Sequence, residues 1–130
     1  MAMFIISSCK TNSNHTGVID ELRITLPKTP NCTTIGFRIE TSDASFKEII
    51  KNAAHYNVEI NGAFFNDSAF YMGKPEINFY EENLCIITSG SCYFLGRDQS
   101  ELNSIANNAL NEVTIIVSCN NREWIFKKKN

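Results

Sequence analysis

The sequence predicts an α+β domain: a mostly antiparallel sheet of about eight short strands, with a mixed sheet also allowed, and two helices packed on it. Three observations carry this. Short stretches alternate apolar and polar residues, the mark of half-buried strands. Two stretches instead repeat their apolar residues at helical spacing. The elements follow the order strands, helix, many strands, helix, strands, and no linker or internal repeat divides residues 1–130, so a single domain is expected.

Met3 to Ser8 reads as a first strand, and the polar stretch Lys10 to Gly17 as a loop. In GVIDELRITLP, Leu22, Ile24 and Leu26 alternate with Glu21, Arg23 and Thr25. Pro27 and Pro30 bracket a loop that runs to Cys32. TIGFRIE then sets Ile35, Phe37 and Ile39 on one face and Arg38 on the other. Two such strands across a short loop predict an antiparallel hairpin. The first helix has cap candidates in Thr41, Ser42 and Asp43, and Ser45 with Glu48 has capping-box spacing. Phe46, Ile49, Ile50 and Ala53 form its apolar face, Lys47, Glu48, Lys51 and Asn52 its polar one. Asn57 is the expected stop.

From Val58 the chain returns to strand material, with Asn61-Gly62 as a tight turn. Ala63 to Phe65 and Ala69 to Met72 are short aromatic runs, and Gly73-Lys74-Pro75 is another turn. Glu76 to Tyr80 alternates Ile77 and Phe79 against Glu76, Asn78 and Tyr80. Glu81-Glu82-Asn83 breaks the pattern. Leu84 to Thr88 and Cys92 to Leu95 then read as a hairpin across Ser89-Gly90-Ser91. Asp98 with Glu101 opens a second helix, with Leu102, Ile105, Ala106, Ala109 and Leu110 as its stripe. Val113 to Cys119 and Glu123 to Lys128 form a closing hairpin across Asn120-Asn121-Arg122. Apolar residues on both faces, Ile115 and Val117 against Ile116, predict an interior strand. Lys127 to Asn130 is a basic tail.

The chain is 43% hydrophobic and 20% charged, ordinary for a folded soluble protein, and 130 residues can bury a core without disulfide or metal staples. The apolar run Met3 to Ile6 is too short for a signal peptide and no basic residue precedes it, so a cytoplasmic location is expected. No run is long enough to span a bilayer. The five cysteines, Cys9, Cys32, Cys85, Cys92 and Cys119, include no CxxC pair, and four of them sit in or beside apolar runs, where a free Cys reads as a small buried hydrophobe. The expected hairpin would bring Cys85 near Cys92. With only His15 and His55 to join the thiols, no zinc or other metal site is expected, and no cofactor.

Catalytic equipment is sparse. His15 lies in a polar loop, and His55 near a predicted helix C-terminus, where imidazolium is favoured. The six glycines are scattered and make no phosphate-binding loop. Phe64, Phe65, Phe70, Tyr71, Phe79 and Tyr80 could stack bases, but from Thr41 to Glu112 ten Asp or Glu stand against four Lys or Arg. Such a surface repels phosphate, so direct nucleic-acid binding is not expected.

INGAFFN, Ile60 to Asn66, resembles the NGGFF-type motif of phosphodiester glycosidases, and Gly73-Lys74-Pro75 follows it. Ala63 stands where that pattern has a glycine, and no catalytic residue is carried over. The resemblance, with Glu59, Asp67, Glu76, Glu81 and Glu82 as available carboxylates, supports an alternative reading as a small hydrolase acting around INGAFFND.

The leading expectation is a non-enzymatic binding protein. Aromatics are favoured interface anchors, and acidic residues steer a basic partner. The expected partner-binding residues are Asp67, Glu76, Glu81 and Glu82 for charge, with Tyr71 and Tyr80 as anchors. The overall profile, small, mildly acidic and motif-poor with a net charge of −2, is similar to that of bacterial toxin-immunity proteins. That class resemblance implies a basic protein partner, a toxin domain such as a nuclease. A third reading is an assembly subunit that presents a sheet edge.

Overall fold

The computed structural model describes residues 16–26, 33–68 and 70–129. The expected strand Met3–Ser8, the loop positions 10–15 and 27–32, Cys9, His15 and Cys32 lie outside the described residues. The elements are β1 (Gly17–Thr25), β2 (Thr33–Thr41), α1 (Phe46–Asn52), β3 (Asn57–Asn61), β4 (Glu76–Phe79), β5 (Leu84–Ser91), α2 (Gln99–Leu110), β6 (Thr114–Cys119) and β7 (Arg122–Lys128). They build an α+β fold. Seven described strands, in the order β3-β6-β7-β1-β2-β5-β4, form one mixed sheet curled into a half-barrel.

Five of the pairings are antiparallel, and β1 runs parallel to β7. The sequence allowed parallel pairing across each strand-helix-strand passage. The parallel contact instead joins the first and last described strands, with Gly17 opposite Phe126. A Cβ on Gly17 would stand 2.8 Å from Thr41 Cα, so this crossing admits no side chain.

The core follows from alternation. Ile24, Ile35, Phe37, Ile39, Ile87, Ile115, Val117, Trp124 and Phe126 are buried on one face. A bulge between Ile19 and Glu21 shifts the β1 register, which lets both Ile19 and Leu22 face inward. Leu26, beyond the strand end, is exposed instead of continuing the alternation. Phe46 spans the concave face: its ring lies 5.0 Å from Trp124, 5.5 Å from Phe126 and 5.6 Å from Phe79.

Both helices form where their patterns lie, with different caps. In α2 the Asp98–Glu101 capping box is complete, and Leu102, Ala106 and Ala109 are buried. In α1 the Ser45 side chain caps nothing. Asp43 does the ordering, accepting from the Ser45 N–H at 2.9 Å and the Ser45 hydroxyl at 2.7 Å. The helix stops at Asn52, and Asn57 opens β3 instead of ending the helix.

Two other expectations are corrected. Ser89-Gly90-Ser91 is not a turn: β5 runs unbroken from Leu84 to Ser91, paired with β2 throughout. Its buried hydroxyls are satisfied from the side, Ser89 donating to Gly73 O and Ser91 to Tyr71 O, so polar residues continue the strand. Cys85 lies within β5 and Cys92 just beyond its end, so the two are held apart; Cys85 is buried, whereas Cys92 is exposed and not the buried hydrophobe its apolar neighbours suggest. Ala63 to Phe65 forms a turn, and residues 70–72 run as irregular chain. The rings of Phe64, Phe65 and Phe70 pack together as a plug and do not build a ladder.

Candidate partner-binding face

The β4 strand sets the site. Ile77 and Phe79 turn toward the core, while Glu76 and Asn78 are exposed. The following turn is tight: the N–H groups of Tyr80 and Glu81 both reach Leu84 O, at 3.0 and 3.4 Å. The Thr41 N–H donates to Asn83 O at 2.9 Å and ties this turn to the end of β2. Tyr80 stands 65% exposed at the corner.

Between the turn and β2 lies a groove of about 510 Å³, lined by Arg38, Glu40, Thr41, Glu81, Glu82, Asn83 and Leu84. Three carboxylates meet there. The single guanidinium, Arg38, is paired with Asp20, which also faces Lys129 Nζ at 3.9 Å. The groove therefore keeps an excess of negative charge beside an exposed tyrosine.

The expected site residues divide in space. Tyr80, Glu81 and Glu82 come together at one end of β5. Tyr71, 76% exposed, lies at the other end, where its carbonyl accepts from Ser91. The seven steps from Leu84 to Ser91 span about 24 Å of strand. Glu76, opposite Thr88, sits between these ends. Asp67 is exposed in the turn region after β3, and its carbonyl accepts from the Phe70 N–H at 2.9 Å. Glu40 was not among the expected site residues. It reaches the groove through its pairing with Leu84, a contact between distant positions that no local pattern reveals.

INGAFFND has a packing role. The Phe64 ring lies within 5.3 to 5.8 Å of Phe65, Phe70, Tyr93 and Phe94, and Phe65 lies 5.8 Å from Phe37. Both phenylalanines of the motif thus enter one aromatic cluster. Arg97 covers its outer ring, Tyr93, at 5.2 Å. A Cβ on Gly62 would stand 3.3 Å from Glu112 O, so this glycine allows the close approach of the turn to residue 112. Asn61 donates to Glu59 Oε2 at 2.8 Å. The adjoining groove, about 200 Å³, is lined by Phe64, Ile105, Asn108, Ala109 and Glu112; neither Asn61 nor Asp67 lines it.

His55 is exposed on an open hollow of about 730 Å³ beside the β6–β7 turn. Arg122, on the same hollow, is already engaged: it donates to Asp43 Oδ2 at 3.0 Å and lies over the Trp124 ring. Cys119 is buried and its thiol points to His55 O at 3.6 Å, so its contact with His55 runs to the backbone, not the imidazole. Burial pushes the Cys85 thiol up to about 12. Among the described residues, no group of three or more His, Cys, Asp or Glu side chains is placed to hold a metal ion, and no helix is long and apolar enough to cross a membrane.

No family model, curated protein or solved structure matches this chain.

Proposed function

We propose that this chain is a non-enzymatic binding protein that covers a basic surface of a protein partner, in the manner of a bacterial toxin-immunity protein. The observation that supports it is the groove of Glu40, Glu81 and Glu82 beside the exposed Tyr80, with Arg38 already paired to Asp20. An uncompensated acidic groove raises the encounter rate with a cationic surface, and a rigid aromatic at its rim supplies buried area at low entropic cost. The packing of Phe64 and Phe65 into the aromatic cluster favours this reading over a hydrolase built on INGAFFND.

Co-purification from the native host tests the proposal. The wild-type chain is expected to bring down a basic protein that the Glu81→Lys, Glu82→Lys double variant loses. Recovery of the chain alone, or equal recovery by both forms, contradicts it. A hydrolytic activity that falls on replacing Glu59 or Asp67 would favour the enzyme reading.

A further inference from the structure

We propose that Asp20 is a positioning residue for the acidic groove: it holds the Arg38 guanidinium away from Glu40, Glu81 and Glu82, so that a Lys or Arg of the partner takes the place beside those carboxylates. This deepens the binding reading above and rests on it.

The strand pattern puts Arg38 where it could cancel the groove. Phe37 and Ile39 are buried, so Arg38 and Glu40 leave β2 together on the opposite face. Side chains two residues apart on a strand are about 7 Å apart at the backbone, within reach of an arginine. Leu84 pairs with Glu40 and brings the Glu81-Glu82 turn to the same end. Nothing in β2 itself keeps Arg38 from these glutamates. Yet among the described residues its ion pair is with Asp20, and none of the three glutamates has one.

The bulge in β1 accounts for this. Ile19 lies opposite Ile39, and Glu21 opposite Arg38, the adjacent residue of β2, so Asp20 is the inserted residue. Ile19 and Leu22 both face inward, which turns Asp20 and Glu21 to the outer side together. Glu21 is engaged by Arg23 at 2.9 Å. Asp20 takes Arg38, and Lys129 Nζ stands 3.9 Å from its other carboxylate oxygen. The Lys129 N–H donates to Ile19 O at 3.0 Å, which fixes the tail beside the bulge. The Asp20 side chain is 20% exposed against 44% for Arg38, so the carboxylate is the anchored member and the guanidinium the one drawn to it. The bulge thus supplies a second outward carboxylate, and that carboxylate sets the charge of the groove.

Crystal structures of wild type and Asp20→Asn read the position of Arg38 directly. In the variant its guanidinium is expected within about 4 Å of a carboxylate oxygen of Glu40, Glu81 or Glu82. Binding of a capped tetra-arginine peptide is followed through the amide shifts of residues 81–84. Asp20→Asn should weaken it about two- to fivefold more than Glu21→Gln, which removes the same charge from the neighbouring residue. Adding Arg38→Gln to Asp20→Asn should restore the wild-type affinity, a rescue that a purely structural role for Asp20 would not give. An Arg38 that stays out of the groove in Asp20→Asn overturns the proposal. Equal weakening by Asp20→Asn and Glu21→Gln, which reduces the effect to net charge, overturns it as well, and so does a double variant that shows no rescue. If Arg38 enters the groove of Asp20→Asn while no form binds the peptide and Glu81→Lys with Glu82→Lys leaves partner recovery unchanged, Asp20 keeps its positioning role and the acidic-groove function falls.

Discussion

The Tyr56 hydroxyl accepts a hydrogen bond from the Ile77 N–H at 3.2 Å, although the two residues belong to opposite ends of the sheet. Tyr56 immediately precedes β3, one terminal strand of the described sheet; Ile77 lies in β4, the other. The bond draws the two edges toward each other across the mouth of the half-barrel. It also occupies one of the outward donors of β4, which limits unwanted pairing along that edge. Tyr56→Phe is expected to cost about 0.5–1.5 kcal/mol in urea unfolding, the usual net worth of one hydrogen bond, and to speed amide exchange at Ile77. Unchanged exchange at Ile77 would show that the hydroxyl does not hold the mouth.

Asp43 joins the start of α1 to β7. One oxygen accepts from the Ser45 backbone and hydroxyl, the other from Trp124 Nε1 at 2.7 Å and from Arg122. The Ser45 hydroxyl is the largest influence holding its carboxyl below the usual aspartate range; burial, the second largest, opposes it, and the bonds from Trp124 and the Ser45 N–H and the Arg122 charge add to the lowering. Because the folded form binds the proton more weakly than the unfolded chain, the contribution to stability is present above the ordinary carboxylate range. It is lost as pH falls through the folded value. Asp43→Ala is expected to cost about 2–3 kcal/mol at neutral pH, since it also leaves the buried indole N–H without this acceptor. The gap between variant and wild type should narrow from about pH 4 downward, measured by urea unfolding across pH.

The β6–β7 hairpin turns through Asn120 and Asn121, both left-handed with φ of 52° and 66°. Two such residues make a type I′ turn, whose twist matches the flanking strands. Asn121→Gly should keep or raise stability by a few tenths of a kcal/mol, and Asn121→Ala should lower it by about 1 kcal/mol. Equal midpoints for the two variants in chemical denaturation would contradict the assigned turn.

With its thiol pushed up to about 12 by burial, Cys85 has almost no thiolate at neutral pH. Mass-spectrometric mapping of thiol labelling should find Cys85 modified at the rate of global unfolding. Rapid native-state labelling there would mean that β5 opens locally.

Alternation and capping carried most of the fold into the sequence. Ile35, Phe37 and Ile39 point inward as their spacing demands, and Asp98 with Glu101 caps α2 as its pattern implies. What the sequence hid was long-range or non-periodic. Ser89 and Ser91 resemble turn residues until Gly73 and Tyr71 are seen to supply acceptors beside them. Phe64 and Phe65 are neighbours in sequence, which suggests opposite faces of a strand, yet a turn sends both into one cluster. Of the expected binding residues, Tyr80, Glu81 and Glu82 are local to one turn and were legible together. Glu40 joins them only through strand register. Tyr71 shares their exposure but lies at the far end of β5, because local composition says nothing about how far apart a folded chain sets its exposed residues.

If the acidic groove receives a basic partner, charge must govern how fast the two associate. The association rate between this chain and the basic protein it recovers from its host, measured at low and high salt for wild type and for the Glu81→Lys, Glu82→Lys variant, tests this. Binding at micromolar concentration or tighter is expected, with an association rate that falls as salt rises and falls again in the variant. No binding at micromolar concentration, or a rate indifferent to both salt and charge reversal, would contradict it.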